Sequence, residues 1–163
     1  MRVGIIVHSQ SGHTLAVAQK LEEKLAEEGH DVSLNRVEAA EPTTSSACGV
    51  APRTKPAAAR YEKIVFGSPV RGGELPPPMA RYLDQVSSLG GKPVAFLLTH
   101  FLRRAWGTEQ TIAQMTELCE SKGATVVGSA DVRWPNLQRG RDIQKAVDKL
   151  GQLLASAPSD GRT

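Results

Sequence analysis

The sequence predicts an α/β domain: a parallel sheet of five strands in the order 2-1-3-4-5, with helices on both faces. Three observations predict it. Strand and helix signals alternate from end to end, as parallel strands joined by right-handed crossovers require. The first, third and fourth strand segments are the most apolar runs and belong at the centre, whereas the second alternates and belongs at an edge. The hydroxyl-rich turn Ser9-Gln10-Ser11-Gly12-His13-Thr14 follows the first strand, at the switch point where sheets of this order bind ligands.

Each element has its own signal. Val3–Val7 is an unbroken apolar run, expected of a strand buried on both faces. A helix is expected over residues 13–28, with Ala18, Leu21 and Leu25 on its apolar stripe and Gly29 as its stop. Asp31–Val37 alternates, with Val32 and Leu34 facing one way and Ser33 and Asn35 the other. Residues 38–60 are rich in Ala, Pro, Ser and Thr and read as a long connection. Lys63–Gly67 is the third strand, and Gly72-Gly73 and Pro76-Pro77-Pro78 mark a loop. Proline suits a helix start, and Met79, Tyr82, Leu83 and Val86 then recur at helical spacing.

Pro93–Thr99 is the most apolar strand. Thr108 can cap a third helix bearing Ile112, Met115, Leu118 and Cys119 and ending at Gly123. Thr125–Ser129 supplies the fifth strand, and Ile143, Ala146, Val147, Leu150 and Leu154 make the last helix. One domain over residues 1–155 is expected, with a disordered tail over 156–163.

Composition narrows the function classes. The chain has 163 residues, 40% hydrophobic and 23% charged, as in soluble globular proteins. No apolar run approaches the roughly 18 residues of a membrane span, and no cleavable signal pattern opens the chain, so a cytoplasmic location is expected. Cys48 and Cys119 lie far apart without metal or CxxC spacing, and Cys119 is expected to be a buried thiol. The four histidines show no HxxxH-type spacing. A net charge of +3 without a basic, aromatic-interleaved run argues against nucleic acid.

The turn at residues 9–14 suits an anion. Ser9, Ser11 and Thr14 supply hydroxyls, Gly12 allows close backbone approach, and the following helix opens with unpaired N–H groups and the positive end of its dipole. The turn holds no Lys or Arg, and the alternative reading of its Ser and Thr is a plain helix cap.

Together with two later loops, this turn resembles the flavodoxin family. Ser9-Gln10-Ser11-Gly12-His13-Thr14 is similar to the family's phosphate loop, with His13 in place of the usual Asn. A Gly-His pair also occurs in flavodoxin-like quinone reductases. Gly67-Ser68-Pro69-Val70-Arg71-Gly72-Gly73 resembles the flavin-ring loop after strand three. Thr99-His100-Phe101 through Trp106-Gly107-Thr108 resembles the loop after strand four. The resemblance spans about residues 2–155. It is to the short-chain type, because strand five has no evident room for the long-chain insertion.

The resemblance implies FMN, with its phosphate on Ser9, Gln10, Ser11, Gly12, His13 and Thr14. The isoalloxazine ring would lie between Ser68, Pro69, Val70, Arg71, Gly72 and Gly73 on one side and Thr99, His100, Phe101, Trp106, Gly107 and Thr108 on the other. Trp106 is the expected stacking partner, since the 68–76 loop has no aromatic residue. The peptide at Gly72 or Gly73 is expected to flip on reduction and offer its carbonyl to the flavin N5–H. Trp134-Pro135 follows strand five at the same end of the sheet and either walls the pocket or, the favoured role, serves packing. His8 is expected to be structural, and His100 to make a loop hydrogen bond.

With an isoelectric point near 9.0 and Arg71, Arg103 and Arg104 in the flavin loops, a less reducing two-electron state is expected than in acidic relatives. The implied function is electron transfer between redox partners, an acidic protein among them. No membrane or nucleic-acid partner is expected, and the chain would be a monomer or small homo-oligomer. The alternatives are an NAD(P)H-dependent quinone or small-acceptor reductase and a module whose flavin site has decayed.

Overall fold

The computed structural model describes residues 2–9, 12–37, 58–70, 75–86, 88–100, 107–134 and 139–157. Five strands form one parallel sheet: β1 (Arg2–Val7), β2 (Asp31–Arg36), β3 (Lys63–Pro69), β4 (Pro93–His100) and β5 (Thr125–Arg133), in the order β2-β1-β3-β4-β5. Four helices cover it: α1 (His13–Glu27), α2 (Pro77–Gln85), α3 (Thr108–Ser121) and α4 (Arg139–Ser156). The expected fold class and strand order are those observed.

The sheet separates two apolar layers, because successive side chains of a strand point to opposite faces. Ile6, Ile64, Phe66, Phe96 and Leu98 pack with Met79, Leu83, Met115 and Cys119 of α2 and α3. Val3, Ile5, Val65, Ala95 and Leu97 pack with Leu21 and Leu25 of α1 and Val147 and Leu150 of α4. The central strands β1, β3 and β4 therefore carry apolar residues on both faces, which is why they read as continuous runs. Cys119 is buried within the first layer, as expected.

Lys63 opens β3 and is almost wholly buried. Its ammonium donates to the carbonyls of Leu154 and Ala157 at the end of α4, placing a cation where the helix dipole is negative. This polar cap ties the last helix to a central strand.

Three strands run further than the sequence suggested, all at the carboxyl end of the sheet. β3 continues to Pro69, β4 to His100 and β5 to Arg133. The extension of β5 is largest. A bulge near Gly128 breaks the alternation, and Asp131 and Arg133 break the apolar run. The ladder nevertheless continues with Leu98 opposite Asp131 and His100 opposite Arg133. Parallel pairing with a buried neighbour overrode the local pattern. Cys48 and the 158–163 part of the tail lie outside the described residues.

Candidate functional site

The carboxyl ends of β1, β3 and β4 meet the start of α1. Gly12 makes the turn into this helix with φ +88°, a left-handed conformation that an L side chain adopts only with strain. A Cβ there would meet nothing within 4 Å among the described residues. Gly67 serves a different need. A Cβ at Gly67 would stand 2.7 Å from Val7 Cγ1 and 3.2 Å from Thr14 Cγ2, so its absence lets α1 settle onto the β1 and β3 ends.

Ser9 organises the turn. Its Oγ accepts hydrogen bonds from the Gly12 N–H at 3.1 Å and the Leu15 N–H at 3.3 Å. Ser9 is thus a helix cap in part, but a hydroxyl that accepts twice still has its own proton to donate. Thr14 is buried, and its Oγ1 lies 2.7 Å from Oγ1 of Thr99 at the end of β4. Whichever hydroxyl donates in that pair, the other retains a proton for a further acceptor. The first turn of α1 contains no carboxylate that would compete for an anion. The chemistry of this donor set therefore fits a phosphate.

Two arginines that the sequence reading did not single out reach the same end. Arg36, the last residue of β2, donates from Nη2 to the Ser9 carbonyl at 3.1 Å. Arg139, the first residue of α4, places its guanidinium carbon 4.6 Å from the centroid of the Trp134 ring. Trp134 in turn stacks on His13, with ring centroids 4.1 Å apart and planes 15° from parallel. The turn itself has no cation, but its surroundings supply two. Arg36 reaches the turn through its register opposite Val7, which the pairing of β2 with β1 sets and no local sequence signal marks. Arg139 had no sequence signal either.

Trp134 is fixed from its backbone. Its N–H donates to the His100 carbonyl at 2.8 Å, continuing the β4–β5 ladder past Arg133. Trp134 packs, and its partner is His13 of the turn. His100 Nε2 lies 2.7 Å from Asp131 Oδ2, a strand-to-strand contact made by a buried imidazole. His8 is buried, and its Nδ1 lies 3.3 Å from the Val37 carbonyl, a structural position.

Of the remaining candidates, Ser68 is buried, with its hydroxyl donating to the Pro69 carbonyl at 3.0 Å. Val70 donates its N–H to the Thr99 carbonyl at 2.8 Å, so the starts of the second and third loops are held together. Thr108 follows Gly107 at the head of α3, and its buried Oγ1 has no hydrogen-bond partner among the described residues. Gln10, Ser11, Arg71, Gly72, Gly73, Phe101, Arg103, Arg104 and Trp106 lie outside the described residues, and with them the expected N5 peptide, the stacking aromatic and the loop arginines.

A family model described as a flavodoxin domain matches residues 4–138. The chain belongs to the flavodoxin domain family. FMN is accordingly its cofactor, and the hydroxyl and N–H donors around Ser9, Thr14 and Thr99 are chemically suited to that cofactor's phosphate. Among solved structures, oxidised flavodoxin 2 from Bacillus cereus shares 22% identity with a TM-score of 0.68, covering 95% of this chain and 98% of that one. Oxidised flavodoxin 1 from Bacillus cereus shares 17% with a TM-score of 0.67, covering 97% and 100%. The Trp repressor binding protein from Bacillus subtilis shares 14% with a TM-score of 0.65, covering 94% and 100%. At these identities the structural likeness carries the fold. Together, family and fold make this a flavodoxin-like redox protein.

Proposed function

We propose that this chain is an FMN-carrying electron-transfer protein that shuttles electrons between redox partners. One observation carries the reading. The ends of β1 and β4 and the start of α1 bring three hydroxyls, a left-handed glycine and an arginine-bound carbonyl to one place. In this reading Ser9, Gly12, His13 and Thr14 hold the phosphate, with Gln10 and Ser11 completing the turn. Ser68, Pro69, Val70, Thr99, His100, Gly107 and Thr108 border the flavin, with Arg71, Gly72, Gly73, Phe101 and Trp106 contributing from the same loops. The flavin supplies the redox chemistry when bound, while the chain supplies binding, orientation and charge. The basic balance of the chain suits an acidic redox partner.

A second reading, an NAD(P)H-dependent reductase of quinones or other small acceptors, is favoured by one feature. The buried His100 imidazole pairs with the partly exposed Asp131 carboxylate at the carboxyl end of β4, a pair suited to handling a proton. Anaerobic reduction separates the two. FMN-loaded protein that is inert to NADPH alone and bleached through a ferredoxin reductase system is a carrier. Bleaching within seconds by NADPH alone would replace this reading with the reductase.

A further inference from the structure

We propose that Trp134 is a positioning residue for the phosphate end of the cofactor, acting through His13, and that with Arg139 it makes the site select phosphorylated over unphosphorylated flavin. The inference rests on the FMN-binding reading above and extends it to a segment, the β5–α4 connection, that lies outside all three flavin loops.

The geometry is a closed circuit. Thr14 is tied to Thr99 by a hydroxyl pair at 2.7 Å. Thr99 is followed by His100, whose carbonyl accepts the Trp134 N–H at 2.8 Å. Trp134 returns to the turn by stacking on His13, the neighbour of Thr14, at 4.1 Å. Two successive residues at the start of α1 are thus held by two different elements, one through hydrogen bonding and one through ring stacking. Rotation of the first helical turn would have to break both.

Stacking and charge act in the same direction here. Two rings in contact attract beyond the area they bury, which restricts a partly exposed imidazole. The Arg139 guanidinium, 4.6 Å from the Trp134 ring centroid, brings positive charge to that imidazole's neighbourhood. Arg139 also donates from Nη1 to the Trp134 carbonyl at 3.5 Å, so it is held at both the ring and the backbone. An imidazole fixed in place fixes the backbone of His13 and Thr14 at the positive end of the α1 dipole. That end attracts the charge of a phosphate, so the benefit is confined to phosphorylated flavin.

The test is titration of the apoprotein with FMN and with riboflavin, each followed by quenching of flavin fluorescence. Trp134→Leu fills space but cannot stack, Trp134→Phe retains an aromatic face, and Arg139→Gln removes an exposed charge. The expected result is a loss of FMN affinity of about fivefold in Trp134→Leu. Its riboflavin affinity should be unchanged, and Trp134→Phe should recover most of the FMN affinity. Arg139→Gln weakens FMN in low salt and leaves riboflavin alone. Equal losses for both flavins in Trp134→Leu and Arg139→Gln, or no loss for either, would overturn the proposal. If the unmodified chain bound neither flavin, the FMN-binding reading itself would fail, a result distinct from equal losses in the variants.

Discussion

The hydroxyls of Thr14 and Thr99 lie 2.7 Å apart and join the first turn of α1 to the end of β4, across 85 positions of sequence. Both residues are buried, at 1% and 3% exposure, so neither hydroxyl can exchange its partner for bulk water. Thr99→Val leaves the Thr14 hydroxyl without this partner. The expected cost is about 1–3 kcal/mol of apoprotein stability in urea unfolding. The double variant Thr14→Val/Thr99→Val should cost less than the sum of the two single variants, because replacing both partners leaves no orphan.

Gly12 controls the entry to the same turn. At φ +88° an alanine is strained by about 1–2 kcal/mol even though none of the described residues crowds its Cβ. Gly12→Ala should lower the midpoint of thermal unfolding. On the proposed phosphate site it should weaken FMN more than riboflavin, since the relief of strain shifts the backbone at the head of α1.

Arg36 reaches the turn through the Ser9 carbonyl and brings its charge with it. Arg36→Gln should reduce FMN affinity severalfold at low ionic strength. The difference from the unmodified protein should shrink in high salt, where charge is screened beyond a few ångströms. Titrations at two salt concentrations measure both effects.

Burial pushes the Cys119 thiol up to about 12. The protonated thiol is favoured in the fold, so this contribution to stability is complete below the ordinary thiol value of 9.0. It is lost as pH rises toward 12. In a Cys48→Ser background, a thiol reagent at pH 8 should label nothing until the protein unfolds. Cys119→Val should flatten the fall in stability above pH 9.

The fold was legible because its central strands are buried on both faces. Val3–Val7, Lys63–Gly67 and Pro93–Thr99 could be read as strands without any knowledge of their neighbours, and alternation in β2 marked the edge. The candidate site was legible where it is local in sequence, in the clustering of Ser9, Gly12 and Thr14 at the head of α1. It was not legible where it depends on pairing between strands. Asp131 and Trp134 become site neighbours only because β5 continues beside β4 past its bulge, and Arg36 only because β2 runs parallel to β1 in register with Val7. Those relationships arise from the sheet ladder, which no short segment encodes by itself.

The most direct test of the account is a fluorescence titration of the apoprotein with FMN beside one with riboflavin. The expected result is one FMN bound per chain, with riboflavin weaker by at least about tenfold. A single charge-assisted hydrogen bond to the phosphate, at about 1.5–3 kcal/mol, is enough for that ratio. Equal affinity for the two flavins, or no binding of FMN, would contradict a phosphate cradle at residues 9–14.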